Sequence, residues 1–174
     1  MTYKTFETER LWLRPTSTED ASFIFELLNS PKWLQYIGDR NLKSEDDAKR
    51  YIEERMLPQL KRLGYANNTV IRKTDGVKIG TCGLYDREGV EGVDIGYAFL
   101  PQFEGKGYAY EAANRLKQAA FTNFNIAVLN AYTSEENRAS QRLLGKLGFT
   151  LKGLVYLPND DKELLLFQLN RATE

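Results

Sequence analysis

The chain holds 174 residues, with Lys plus Arg and Asp plus Glu balanced at 24 each and a hydrophobic share of 42%. That length suits one compact domain, residues 1–174, with a sizeable core. Zero net charge supplies no field to recruit nucleic acid or an acidic membrane surface, and neither is expected as a partner. Histidine is absent and Cys82 is the only cysteine, which removes Ser-His-Asp and Cys-His chemistry and any His- or Cys-based zinc site, so no metal is expected. Cys82 lies in an apolar, Gly-flanked run and reads as a buried structural thiol. The opening Met-Thr-Tyr-Lys-Thr-Phe-Glu lacks the apolar core of a signal peptide, and no run reaches membrane-spanning length, so a cytoplasmic protein is the expectation.

In chain order, Phe6 to Arg14 reads as a first strand ending at Pro15. Thr16, Ser17 and Thr18 offer N-caps, with Glu19 and Asp20 as capping-box partners. Ala21, Ile24, Leu27 and Leu28 then form the stripe of a helix ending near Asn29, before Pro31. Ser44 and Asp47 repeat the capping pattern ahead of a second helix carrying Ala48, Tyr51, Ile52 and Met56, with a break or kink at Pro58. Asn68 to Lys73 and Val77 to Tyr85 are strand-like and joined by Thr74-Asp75-Gly76, a hairpin signal. Arg87 to Gly92 is a turn. After it, Gly92 to Leu100 forms a strand that Pro101 must stop, because proline donates no ladder hydrogen bond.

Ala109, Ala113, Leu116 and Ala120 recur at helical spacing and place a helix start near Gly107 or Tyr108. Ala127 to Thr133 is a short strand. Ser134 or Asn137 caps a helix with the face Ala139, Leu143, Leu144 and Leu147, and Gly148 stops it. Thr150 to Leu157 and Glu163 to Asn170 are strands around Pro158-Asn159-Asp160-Asp161. With no repeat, low-complexity tract or linker, the whole reads as one α/β domain.

Gly92 to Phe121 carries the most chemistry. A strand, the glycines Gly105 and Gly107, and a helix N-terminus together make an anion site, because the first helical N–H groups lack intrahelical partners and glycine lets a phosphate reach the backbone. A plain tight turn is the competing reading. A P-loop is excluded because Lys106 precedes Gly107, and a dinucleotide fingerprint because Tyr110 stands where a third glycine belongs.

Two separated motifs resemble one family. Gln102-Phe103-Glu104-Gly105-Lys106-Gly107 matches the Gln/Arg-x-x-Gly-x-Gly/Ala signature of the GNAT N-acetyltransferases. Asn137-Arg138-Ala139-Ser140, followed by Leu144-Gly145-Lys146-Leu147-Gly148-Phe149, is similar to their Asn-x-x-Ser…Lys-x-Gly-Phe segment. Thr8-Glu9-Arg10-Leu11-Trp12-Leu13-Arg14-Pro15 and Asp94-Ile95-Gly96-Tyr97 resemble the branch containing the ribosomal-protein N-terminal acetyltransferases.

The resemblance implies an α/β (α+β) domain with a mixed, mostly antiparallel sheet whose central strands splay, flanked by helices. It implies direct transfer of acetyl from acetyl-CoA, without a metal, to an amine. The pyrophosphate would rest on backbone N–H groups from Phe103 to Tyr108, with Gln102, Glu104, Gly105, Lys106, Gly107 and Ala109 in or beside the turn. The pantetheine would lie along Tyr97 to Leu100, including Phe99 and Leu100. Asn137 matches a pantetheine-binding position, and Ser140 a position near the thioester sulfur, where it would serve the departing thiolate. Asp94 stands where relatives often carry Glu and is the candidate base.

Structural readings stay open beside these. Asn137 also reads as a helix N-cap, a role it can combine with binding, Ser140 as a back-bonded core serine, Lys106 as a solvated lysine, Tyr97 as core, and Glu111 as a helix-terminus charge. For the acceptor, the resemblance implies a wall drawn from Trp33 to Asp39 and from Leu84 to Gly92. A protein N-terminus leads; a polyamine, an amino acid or an aminoglycoside remains open, as does a non-catalytic acyl-CoA-binding module. The chain is expected to be a monomer or a homodimer, the latter through the last two strands.

Overall fold

A computed structural model describes residues 2–172. Eight strands form one open sheet: β1 (Phe6–Glu7), β2 (Leu11–Pro15), β3 (Asn67–Arg72), β4 (Lys78–Tyr85), β5 (Val93–Phe99), β6 (Val128–Thr133), β7 (Thr150–Tyr156) and β8 (Glu163–Asn170). Their order is β1-β2-β3-β4-β5-β6-β8-β7. Every neighbouring pair is antiparallel except β5 and β6, which are parallel and share only Val93↔Leu129 and Asp94↔Asn130. Beyond those two pairs the central strands part.

Alternation along the strands sends side chains to opposite faces. One face carries Leu11, Leu13, Val70, Cys82, Leu84, Ile95, Phe99, Leu129 and Ala131, and buries them with the helices α5 (Tyr108–Thr122) and α6 (Arg138–Lys146). The other face carries Arg14, Thr69, Asn67, Thr81, Gly83, Tyr85, Asp94, Gly96 and Ala98. A second core, with Phe23, Ile24, Leu27, Leu28, Ala48, Ile52 and Leu100, covers it from α1 (Ala21–Leu28), α2 (Pro31–Tyr36), α3 (Glu45–Tyr51) and α4 (Leu57–Leu63). Among the described residues no helix is long and apolar enough to cross a membrane.

Most elements follow local rules. Ser17 closes a capping box with Asp20, and Ser44 accepts the Asp47 N–H at 3.1 Å. Gly148 takes a φ of +97° after α6 and ends it.

Four expectations change. The strand expected over Phe6 to Arg14 is a hairpin, β1 against β2, because Thr8 turns the chain: its N–H donates to Leu11 O and its Oγ1 accepts the Leu11 N–H, at 2.9 and 3.0 Å. Pro31 starts α2 as well as following α1, its fixed φ suiting a first helical turn. The break expected at Pro58 falls earlier, as a π-helical turn over Ile52–Met56 in which the Leu57 N–H reaches Ile52 O. Proline offers no N–H and crowds the carbonyl four residues back, so the ladder shifts register ahead of it. Ala139, expected on the buried face of α6, is exposed, whereas Leu144 and Leu147 are buried.

Candidate active site

The glycine-rich turn is built by what stops β5. Pro101 opens a single 3-10 turn, Pro101–Phe103, closed by Phe103 N–H to Leu100 O at 3.0 Å. Gly105 and Gly107 then take φ of +73° and +83°, a region that a side chain disfavours. Among the described residues, the N–H groups of Gly105, Lys106, Gly107 and Tyr108 meet no protein acceptor. They open the 15-residue helix α5, whose dipole end adds positive potential.

Braces from the amino-terminal hairpin hold this turn. Glu111, in the first turn of α5, accepts from the Arg10 N–H at 3.0 Å, from Arg10 Nε at 2.7 Å and from the Thr8 hydroxyl. Burial pushes its carboxyl up, but those hydrogen bonds prevail and hold it below the usual carboxylate range. Arg10 Nη1 also donates to Lys106 O at 3.0 Å, and its guanidinium lies 4.4 Å from the centre of the Tyr108 ring. On the other flank Arg72 lies 5.0 Å from the Phe103 ring centre, and Lys32 of α2 pairs with Glu104. Phe99 and Leu100 are buried, Ala109 is half-buried, and Gln102 is exposed beside the turn.

At the splay, α6 brings up Asn137 and Ser140. Asn137 Oδ1 caps the helix by accepting the Ser140 N–H at 3.2 Å, leaving its own amide N–H groups for other partners. Ser140 Oγ lies 3.1 Å from Tyr97 Oη. Burial, outweighing the hydrogen bond from Ser140, pushes the Tyr97 phenol up to about 12, so this pair keeps both protons at neutral pH and can donate one. Spacing alone left Tyr97 between core and site; only the packing of α6 against β5 supplies its partner.

Asp94 sits on the opposite sheet face. It is 3% exposed, and its carboxylate takes Arg87 Nε at 2.8 Å and Arg87 Nη2 at 3.1 Å. Burial raises its carboxyl above the ordinary range despite the opposing guanidinium. Burial and the Asp94 charge both raise the nearby Tyr132 phenol. Arg87 was legible only as part of a turn, since its role depends on folding back onto Asp94. In the expected acceptor wall, Asp86 pairs with Arg62 at 2.9 Å, Glu88 and Glu91 are exposed, and Trp33 Nε1 is buried without a partner among the described residues. The structure thus gathers the turn, Asn137, Ser140 and Tyr97 at the splay and sets Asp94 with Arg87 across the sheet. Among the described residues no cluster of three His, Cys, Asp or Glu side chains is placed to hold a metal ion.

Comparison with known proteins identifies the family to which this fold belongs. The chain is 33% identical over 156 residues to the uncharacterized N-acetyltransferase p20 of Bacillus licheniformis, covering 87% of this chain and 85% of that protein. It is 24% identical over 142 residues to spermidine N(1)-acetyltransferase of Escherichia coli strain K12, covering 81% and 73%. Its fold superposes on the acetyltransferase of Agrobacterium tumefaciens str. C58 with a TM-score of 0.82 at 26% identity, covering 98% and 96%. It also matches a ribosomal L7/L12 α-N-protein acetyltransferase in complex with coenzyme A, with a TM-score of 0.80 at 19% identity, covering 96% and 98%. The family profile described as Acetyltransferase (GNAT) domain matches residues 10–150, and the chain belongs to that family as an N-acetyltransferase.

Proposed function

We propose that this enzyme transfers acetyl from acetyl-CoA to a primary amine, with the α-amine of a protein N-terminus as the leading acceptor, as in the ribosomal-protein branch. One observation carries the reading: a row of uncommitted N–H groups at Gly105 to Tyr108 stands at the end of a strand that parts from its neighbour beside Ser140 and Tyr97. The N–H row suits a pyrophosphate, and the gap between β5 and β6 suits an extended pantetheine pairing with strand edges.

The amine attacks the thioester carbonyl, the carbon–sulfur bond breaks, and the sulfur leaves as thiolate. Ser140, backed by Tyr97, supplies the proton or hydrogen bond that the thiolate needs, and β5 backbone N–H groups face the developing oxyanion. Asp94 takes the amine proton, directly or through water. Burial lifts its basicity toward what a general base requires, and each oxygen held by Arg87 keeps a second lone pair.

Two of the wall's carboxylates, Asp94 and Asp86, already face Arg87 and Arg62, which leaves Glu88 and Glu91, exposed and outside any ion pair among the described residues, as the charges a cationic acceptor would meet. The test is a panel of unblocked peptide amides, their N-acetylated counterparts, spermidine, amino acids and an aminoglycoside, scored by thiol release and by acetylated product in the mass spectrum. Unblocked peptides should be acetylated at the α-amine, and blocked ones and spermidine should not. Acetyl-CoA binding with no acceptor in the panel would replace the transferase with an acyl-CoA-binding module.

A further inference from the structure

A buried polar chain crosses the acceptor side of the sheet, and a fixed charge sets its direction. Asp20 is fully buried and ionised. Burial pushes its carboxyl up, but hydrogen bonds from Arg14, Lys78 and the Ser17 N–H overcome that and hold it far below the usual range. An ionised carboxylate only accepts, so the Thr69 hydroxyl, 3.1 Å away, donates to Asp20. Thr69 has then spent its proton, so Thr16 donates to it at 2.9 Å. Thr16 in turn accepts from Asn67 Nδ2 at 2.8 Å, which turns Asn67 Oδ1 toward Tyr85. The Tyr85 hydroxyl donates to Asn67 Oδ1 at 2.6 Å. Every proton from Tyr85 to Asp20 therefore points the same way.

The ring that ends this chain lies flat on the sheet. A Cβ at Gly83 would stand 2.7 Å from Tyr85 Oη, and one at Gly96 2.9 Å from Tyr85 Cε2. Neither glycine has a positive φ, so both are there for clearance and not for backbone freedom. The glycines make a slot across β4 and β5. Tyr85 fills it on the face opposite Ser140, beside Gly96 of the splayed strand, with Arg87 5.5 Å from its ring centre.

Resting on the transferase reading above, we propose that Tyr85 is the floor of the acceptor pocket, a substrate-contacting residue whose phenol oxygen accepts an N–H from the incoming amine. Its own proton is committed to Asn67, so it cannot donate to the substrate. Donation into a chain ending on a carboxylate also makes that oxygen a better acceptor. Asn67, Thr16, Thr69 and Asp20 act through it as positioning residues. The pocket thereby selects groups rich in N–H donors and disfavours carbonyl or carboxylate groups at that point.

The test uses protein saturated with CoA and carrying 13Cζ-labelled tyrosine, titrated with glycinamide, spermidine and an unblocked alanyl peptide amide. The Tyr85 resonance is assigned by its loss in Tyr85→Phe. At least one amine should shift it, and Tyr85→Phe should weaken that amine about tenfold, the scale of one charge-assisted hydrogen bond, with CoA affinity unchanged. Thr16→Val, remote from the pocket, should weaken the amine in the parent but not further in Tyr85→Phe, and Thr16→Ser should restore parent behaviour. Binding of CoA without any amine effect at Tyr85, or equal amine affinity in Tyr85→Phe, would overturn this assignment and leave the transferase reading standing. Failure to bind CoA would remove both.

Discussion

Replacing Asp20 with asparagine is expected to cost about 3–5 kcal/mol of stability, the cost of breaking a buried ion pair from one side. The Asp20 side chain has no exposure and receives Arg14 Nη1 at 2.8 Å, Arg14 Nη2 at 2.7 Å, Lys78 Nζ at 2.7 Å and Thr69 Oγ1 at 3.1 Å. Asparagine presents an NH2 to some of these donors and leaves the cations without a counter-charge. For a chain of this length the midpoint should fall by about 10 °C or more. The pH dependence has a definite sign. The folded-state pKa of Asp20 lies below its ordinary value of 3.8, so its contribution is complete above that value and is lost as pH falls through the depressed one. The stability gap between parent and Asp20→Asn, followed by urea unfolding, should therefore be constant near neutrality and narrow only below about pH 4. A gap under about 1 kcal/mol at pH 7 would show that Arg14 and Lys78 find water instead and that the cluster contributes little.

Ser140→Ala is expected to lower kcat about a hundredfold, the lower end of what a positioned proton donor contributes. The KM for acetyl-CoA should change little, because the substitution removes an interaction that strengthens as the thiolate forms. Tyr97→Phe should show a smaller loss of the same kind, since the Tyr97 hydroxyl acts through Ser140 Oγ at 3.1 Å. The double variant should be no worse than Ser140→Ala alone. Steady-state rates on the best acceptor check this. Unchanged kcat in Ser140→Ala would return Ser140 to a structural role, whereas additive losses would mean that Tyr97 reaches the thiolate by a separate route.

What the sequence disclosed divides along the distance over which each interaction acts. Pro101, Gly105 and Gly107 announced their turn because backbone limits are local, and Ser17 with Asp20 announced a cap for the same reason. The hairpin at Thr8 to Arg10 was hidden because its turn carries neither glycine nor proline, and the brace that holds it, Glu111, lies about a hundred positions away in the chain. Pro31 read as a terminator because a proline after a helix and a proline opening the next look alike until the chain turns. In the candidate site, Asn137 and Ser140 were singled out by their resemblance to the family's Asn-x-x-Ser segment, whereas spacing alone offered a helix cap and a core serine. The Arg87–Asp94 pair and the line from Tyr85 to Asp20 were not legible, since each depends on strand register, and a register slip of one residue would send those side chains to opposite faces. Gly83 and Gly96 show the same limit: their value lies in the ring that crosses them.

The most direct test of the account is a titration of acetyl-CoA, CoA and ATP into the protein, followed by calorimetry and thermal unfolding, with Gly107→Val alongside. Binding by both CoA species, with about 2.7 kcal/mol of stabilisation at a hundred times the dissociation constant, is the predicted result. ATP should give no comparable shift, and a β-branched residue at a φ of +83° should abolish the effect of CoA. An unchanged midpoint with acetyl-CoA, or equal stabilisation of Gly107→Val, would contradict the assignment of the turn and the splay as the acetyl-CoA site.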